Sequence, residues 1–527
     1  MTALDKIAHA LRWPLTVLLA LAGLFLVFNI FAAGQTSWAL GVLILLAVGF
    51  YVYLSSGAFA FRYLFPGVAG MAVFVAFPLF YTAQIGFTNF SSSNLLSQDR
   101  VRSYLLDQTA PDDTKLMSFS LHADGGEFRL ALRPVSEMAE LGDVAYVSPS
   151  LALLKPQPPA KTEMLSATQA AVTLPPALPL NEVLKHRDVL MQLVLKLPAV
   201  EGQPVQELHY LGVSEFGPLI KVWRPSADGS ITLNSSGATY TPNTNSGYFE
   251  STKADGTALA KVDRLRPGFT VGVGFKNYAR MLFDADFRGP FLSIFTWTVL
   301  FSALTVVFSL TVGMALAVLL NWEELRFRTA YRTLLFLPYA VPGFISILVF
   351  KGLFNQNFGE INAILDSLIG VKPAWFADPF LAKTMLLIVN TWLGYPYIMV
   401  LCTGLLKAIP ADLYEASAIA GAGPLTNFIK ITAPLIAKPL TPLLIGAFAF
   451  NFNNFVLIAL LTDGRPDYLN TVLPAGQTDI LVSYTYRIAF RDSGQDFGLA
   501  AAISTVIFFM VALMSMANLR LMRNSQK

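Results

Sequence analysis

Residues 415–434 read EASAIAGAGPLTNFIKITAP, and the fold follows from how this stretch is read. It lies between two apolar spans, 384–406 and 440–461, in a loop that carries Lys407, Lys430 and Lys438. Basic loops of membrane proteins stay on the cytoplasmic side. Pro410 and Asp412 suit the first turn of a short helix, and Gly421 and Gly423 ahead of Pro424 end it. A second helix is expected from about Thr426. Ala416, Ser417, Ala418, Ala420, Gly421 and Ala422 leave the first helix almost without bulk, so another protein's groove can close around its backbone. The plainer alternative is a small-residue helix that packs against a neighbouring span.

Composition places the rest of the chain in a membrane. The 527 residues include only 13% charged ones, against roughly 25% in a soluble chain, and the mean hydropathy is +0.54. The net charge of +3 is small and its Lys and Arg are spread over many loops, so the sequence has no electrostatic footprint for a nucleic-acid partner and none is expected. Cys402 is the single cysteine, so no intrachain disulfide forms, and inside an apolar span it reads as a small buried hydrophobe. Lys6 and Arg12 precede an apolar run, 13–33, with no small-residue cleavage site after it. An uncleaved first helix is expected.

Windows of about 20 apolar residues give eight spans: 14–33, 37–56, 64–87, 291–320, 333–354, 384–406, 440–461 and 499–519. Kinks are expected near Pro342, Pro396 and Pro442. Lys6, Arg12, Arg62, Arg326, Arg328, Arg332, Lys407, Lys430, Lys438, Arg520, Arg523 and Lys527 fall on one side, whereas loops 355–383 and 462–498 are mainly acidic. The basic side is cytoplasmic and holds both termini.

Three parts follow: residues 1–87 with three spans, an inserted domain 88–290, and a core 291–527 with five spans and the loop 407–438. The insert has a soluble composition. Runs 128–135, 144–147, 207–211, 219–223 and 230–233 read as strands, punctuated by turns at 124–126, 227–229 and 235–237. Residues 181–197 read as a helix, and tracts 155–161 and 234–247 as exposed loops. His122, His186 and His209 are too scattered for a metal site, and the domain is expected to meet a protein. Residues 274–282 read as an amphipathic helix along the membrane surface.

Inside the sixth span, Asn390, Leu393, Gly394 and Tyr397 share one helical face. The seventh carries Phe450, Asn451 and Asn454 together, with Phe455 alongside, while Asn453 points elsewhere and reads as a bridge to another helix. Amides in hydrocarbon are costly unless they pair or face a cavity. For Asn390, Asn451 and Asn454 a cavity is the reading preferred. No Asp, Glu, Lys or Arg lies in the middle of the fourth to eighth spans, so the cargo is expected to be neutral and rich in hydroxyls, stacked on aromatic faces and bonded by amides. Gly394 leaves room for it.

NTWLGYPY (390–397), EASAIAGAG (415–423), FAFNFNNFVLI (448–458), YTYRIAF (484–490) and GQDFGLAAAIST (494–505) together resemble the permeases of maltose/maltodextrin ABC importers. In that family the loop at 415–434 is the "EAA" segment that couples the membrane subunit to an ATPase. The resemblance is strong from about residue 274 onward; through the insert mainly position and size agree. It implies an all-α polytopic membrane protein of the type I ABC importer fold, eight transmembrane helices with an inserted β-rich periplasmic domain, in a bacterial inner membrane. It implies a second permease, MalG, two copies of the ATPase subunit MalK, and a periplasmic maltose-binding protein. It implies that Asn390, Leu393, Gly394, Tyr397, Phe450, Asn451 and Asn454 line the sugar site, and that Glu415, Ala416, Ser417, Gly421, Ile431 and Pro434 serve ATPase coupling. Ala447 stands where the family often has a small polar residue, Ser417 where it has Ala, and Ala433 where it has Leu.

The chain has no GxxxxGK[ST] phosphate loop, so ATP and Mg are expected on a partner subunit and no cofactor on this one. Closure of the ATPase is expected to drag the 415–427 helix and rock the fifth to seventh spans. Two other functions fit less well: a permease for another neutral oligosaccharide or polyol, and a membrane-anchored enzyme or receptor acting through the insert, which lacks clustered catalytic residues.

Overall fold

The computed structural model describes residues 3–135, 144–152, 161–166, 173–198, 205–251, 263–322, 324–469, 471, 474–491 and 495–525. They form two compact units, residues 93–271 and the remainder. The Pro-rich tract 155–161 lies almost wholly outside the described residues.

The larger unit is helical. Its helices are numbered here α1 Ala3–Ala32, α2 Thr36–Leu54 and α3 Phe61–Gly86, then α4 Lys276–Phe283, α5 Ala285–Leu320, α6 Arg328–Ala340, α7 Gly343–Leu353 and α8 Glu360–Ile369. They continue with α9 Pro379–Leu406, α10 Ala411–Ile419, α11 Pro424–Phe452, α12 Phe455–Leu461, α13 Leu481–Phe490 and α14 Phe497–Ser525. Seven described stretches are long and apolar enough to cross a membrane, and eight if the bent pair α6 and α7 counts as one.

That pair is where the fifth expected span departs from a straight helix. Pro342 has no N–H to donate and pushes the residue before it out of the helical region. Val341 accordingly has φ −86° and ψ 130°, and the two halves meet at 93°. At Pro396 and Pro442, in contrast, α9 and α11 run on without a break.

The seventh expected span is also different. The helix starts at Pro424, well before residue 440, passes a π turn at Phe428–Thr432, and stops at Phe452. Asn453 and Asn454 leave helical geometry, and the Asn454 side chain caps α12 by accepting from Leu457 N at 3.4 Å. Asn residues end helices because their side chains compete for the backbone. Asn453 is exposed and among the described residues its side chain reaches Ala449 O alone, 3.4 Å away in its own helix, so among them it is not the interhelical bridge the sequence suggested.

α9 begins with Asp378, which accepts from Leu381 N at 2.8 Å, followed by Pro379 at the first turn. It lies along α5, and the two approach through small residues. A Cβ on Gly313 would stand 2.9 Å from Ile398 Cβ and from Met399 N, and one on Gly394 would stand 2.8 Å from Ser309 Oγ. Gly394 therefore serves this close crossing, besides leaving room beside it. The amphipathic helix expected at 274–282 is α4, whose Asn277 donates to Gly86 O (3.0 Å) and Thr88 O (2.9 Å) and so closes the end of α3.

Between α12 and α13 the chain buries an ion pair. Asp479 is fully buried and accepts from Arg487 (2.9 Å), Ser483 Oγ (2.8 Å) and Gly476 N (2.8 Å), and Arg487 also reaches Asp467 at 2.6 Å. Burial pushes the Asp479 carboxyl up to about 6, against the pull of Arg487 and the hydrogen bonds.

The unit at residues 93–271 carries a nine-stranded sheet and a four-stranded one. Its long hairpin pairs Met117–Asp124 with Glu127–Pro134, turning at Gly125 and Gly126, both at positive φ. The first strand of that hairpin was not expected. Residues 181–197 hold two short helices, Leu180–Lys185 and Arg187–Leu190, and then a strand, Val194–Lys196. His186 ends the first with φ −102°, and Val194 and Leu195 pair with Leu208 and His209, so tertiary pairing overrides a helical pattern. Likewise 234–247, expected as loop, contains the strand Thr239–Asn243. His122 is buried between Ser120 Oγ (2.9 Å) and Pro175 O (2.6 Å).

Candidate functional site

A cavity of about 700 Å³ opens in the helical unit, in the range of small-molecule sites. α9 supplies Asn390, Leu393, Gly394 and Tyr397 to its wall, α11 supplies Phe450 and Asn451, and the break before α12 supplies Asn454. All seven residues picked out by the sequence pattern thus share one wall. α5 adds Thr305 and Ser309, and the bent pair adds Pro338, Tyr339 and Phe344. Those five were not anticipated. The YAVPGF run at 339–344 carried a signal, since a Pro-Gly break in an apolar stretch often borders a cavity. Thr305 and Ser309 carried none, because hydroxyl residues in spans usually bond their own helix.

The amides of the wall are bonded to one another. Asn390 Nδ2 donates to Asn451 Oδ1 at 2.8 Å and to Thr305 Oγ1 at 3.2 Å, and Asn454 Nδ2 donates to Asn390 Oδ1 at 3.3 Å. Asn451 Nδ2 returns to Ala447 O at 2.8 Å. Asn390 and Asn451 are only 5% and 7% exposed. The alternatives of bridge and site therefore coincide: the three amides join α5, α9, α11 and α12 while facing the cavity. Each amide nitrogen has two hydrogens and each oxygen two lone pairs. Among the described bonds, the NH₂ groups of Asn451 and Asn454 each keep one hydrogen for a ligand.

Beside the amides the wall is aromatic and open. Tyr397, Phe450, Tyr339 and Phe344 are 42%, 71%, 58% and 53% exposed. Ser309 Oγ is buried with no hydrogen-bond partner among the described residues. None of the lining residues is charged. An ionic ligand would find no counter-ion here, whereas a polyhydroxylated neutral one finds amides and rings together.

The second group of residues lies past the end of α9, roughly 14 Å along the axis from Tyr397 at 1.5 Å per residue. α10 buries none of its residues. Glu415, Ala416, Gly421 and Pro434 are exposed, and Ser417 and Ile431 half-buried. Beside them Ile419, Leu425 and Ile429 are 90%, 71% and 57% exposed. The helix ends in a Schellman turn, with Ala422 N bonded to Ser417 O and Gly421 N to Ala418 O, both at 3.0 Å, and Gly421 at φ +76°. Tyr414 OH meets Thr432 Oγ1 at 3.0 Å and ties α10 to α11.

Residues 96–274 match the family described as the maltose transport system permease protein MalF P2 domain, and 309–523 match the binding-protein-dependent transport system inner membrane component. The chain is 48% identical over 518 residues to the maltose/maltodextrin transport system permease protein MalF of Escherichia coli K12, covering 98% of this chain and 97% of that protein. It is 47% identical over 515 residues to the protein of the same name in Yersinia pestis, covering 97% and 94%. One solved structure, a bacterial alginate ABC transporter in complex with alginate pentasaccharide-bound periplasmic protein, matches 48% of this chain and 84% of its own at 19% identity and TM-score 0.42. That likeness is too slight to bear on the site.

Proposed function

The chain belongs to the family of maltose/maltodextrin transport system permease proteins, and on that premise we propose that its cavity is where the sugar crosses. It is a multi-pass permease subunit of an ABC importer, not itself an enzyme, and such a subunit works with an ATPase and a substrate-binding protein. Maltose or a short maltodextrin is neutral, has hydroxyls around each ring and presents C–H faces. Tyr397 and Phe450 stack on those faces, while Asn390, Asn451 and Asn454 exchange bonds with one another for bonds to hydroxyls. Leu393 and Gly394 shape the floor.

The observation that carries this reading is the uncharged cavity in which amides of two spans converge beside exposed rings. The partners we propose are a second permease, MalG, two copies of MalK, which bind ATP and Mg, and a periplasmic maltose-binding protein. We place the protein in the bacterial inner membrane with both termini in the cytoplasm and the β-rich unit in the periplasm, as the basic residues favour. α10 with its Schellman turn docks in the ATPase through Glu415, Ala416, Ser417 and Gly421, while Ile431 and Pro434 begin the helix that carries the motion to the cavity.

Reconstitution with those partners in lipid should give ATP hydrolysis stimulated by binding protein loaded with maltose or maltotriose. Stimulation by a different neutral sugar alone would move the cargo to another oligosaccharide or polyol. Absence of any stimulation would remove the coupling assignment.

A further inference from the structure

α8 is a ten-residue helix in the connection between α7 and α9, and the permease function above makes no use of it. Its sequence, EINAILDSLI, has two unlike sides. Asn362, Ile361 and Leu365 face inward: Asn362 donates to Gln356 O and Pro373 O, both at 3.0 Å, and accepts from Trp375 Nε1 at 2.8 Å. Three bonds to both flanks hold the helix in one rotation. Held that way, it turns Ile364, Leu368 and Ile369 outward, 57%, 75% and 67% exposed, with Phe358 before it at 89% and Phe380 after it at 76%. Glu360, Asp366 and Ser367 occupy the remaining arc, with Asp366 paired to Lys372 at 3.1 Å. A soluble surface does not hold five large apolar side chains outward around one fixed helix.

The depth of α8 in the membrane can be read from two long helices. About 20 residues span the hydrocarbon, and counting that many back along α5 from Leu320 ends just short of Trp297. The same count along α9 from Leu406 ends just short of Lys383. The Lys383 ammonium lies over the Trp297 ring, 5.0 Å from its centre. A lysine reaching out over an indole is the arrangement found at the headgroup boundary. Ile361 and Leu365 of α8 pack against the cluster that contains Trp297, Trp375 and Leu386, so the helix lies at that same boundary.

We infer that α8 is an interfacial helix whose Ile364–Leu368 side, continued by Phe358 and Phe380, beds into the lipid acyl chains of the leaflet beside the α7–α9 connection. Its polar arc faces water, and amphipathic helices of this kind bury their apolar side roughly 5–10 Å into the boundary. Lipid is favoured over a protein because the helix lies at the boundary depth just read and the spans on either side of it also expose large apolar residues that do not line the cavity, Leu348 and Phe380. The inference needs only that the chain spans a membrane; it does not depend on which sugar crosses.

The test places an environment-sensitive fluorophore at Leu368→Cys, with Ile364→Cys as a second site and Ser367→Cys as the water-facing reference, in the assembled transporter in phosphatidylcholine nanodiscs. Cys402 is fully buried and a label-only control on the parent chain accounts for it. A phospholipid spin-labelled near the top of its acyl chain should quench positions 368 and 364 about twofold or more beyond position 367, with iodide showing the reverse order, as the expected depth requires. Iodide reaching 368 as readily as 367 overturns the inference. So does exclusion of both quenchers from 368, which would put a protein subunit on the stripe. Sugar-stimulated ATP hydrolysis of the same variants reads the permease function separately, so the two readings fail independently.

Discussion

Gly421 stands at φ +76° with nothing within 4 Å of where a Cβ would be, so what it supplies is a backbone conformation and not space. A β-branched residue there pays about 1–2 kcal/mol for the left-handed turn, whereas Asn adopts it readily. Gly421→Val should therefore insert normally but lose most sugar uptake, and Gly421→Asn should keep it; equal uptake by both variants would show that the turn is not used in coupling. At Asn451 the requirement is chemical. Asn451→Ala removes the acceptor of Asn390 Nδ2 and leaves a buried donor unpaired, a loss of about 1–3 kcal/mol. Uptake should fall roughly 10-fold or more, with the subunit still assembled with its ATPase. A normal uptake rate would make the amide a helix bridge alone. These residues were legible because an amide is costly in hydrocarbon and so stands out against an apolar run. Ser309 and Thr305 were not, because hydroxyl side chains are ordinary in spans.

At the scale of elements, the pattern of apolar residues located every spanning helix but not its breaks. Pro342 was expected to kink the fifth span, and the structure turns it by 93°. The end of α11 at Asn453 was missed, because Phe450, Asn451 and Asn454 read as one face of a continuous helix. The loop before α13 was seen only as acidic, although it buries Asp479 against Arg487. Its carboxyl titrates at about 6, raised by burial from an ordinary value of 3.8. A raised carboxyl means that the folded protein binds this proton more tightly than the unfolded chain. Its contribution to stability is thus full below about pH 4 and is lost as pH rises to about 6. Between pH 7 and pH 5 this site should add roughly 1 kcal/mol. Asp479→Asn should remove that part of the rise in melting temperature on acidification, measured in detergent. An unchanged pH profile in the variant would assign the titration to another group.

On the scale of the whole molecule, the unit at residues 93–271 has two hydrophobic cores of its own, one around Leu121, Leu130 and Phe216 and one around Trp223, Phe249 and Phe269. Independent cores make independent domains. The excised fragment 93–271 should be soluble, show β-type circular dichroism and melt cooperatively without a disulfide; an aggregated or non-cooperative fragment would mean that it needs the helical unit to fold. Within that unit the turns at 124–126, 227–229 and 235–237 and the strands Glu127–Pro134 and Ile231–Leu233 could be read directly, whereas Met117–Asp124 and Thr239–Asn243 beside them could not. The helix expected at 181–197 failed at its end, where pairing with a distant strand decided the outcome.

By itself the sequence determined that this protein lives in a membrane, where its helices run, which loop is built of small residues, and which amides are out of place in hydrocarbon. All of these follow from the local cost of exposing or burying a residue, which each segment carries alone. Tertiary structure decided that Asn390, Asn451 and Asn454 hold one another, that α5 and the broken α6–α7 pair complete the cavity, and that Gly394 is a crossing point as well as a lining residue. Those outcomes depend on how helices cross and where they break, and contact between distant elements leaves no period in the sequence of either one.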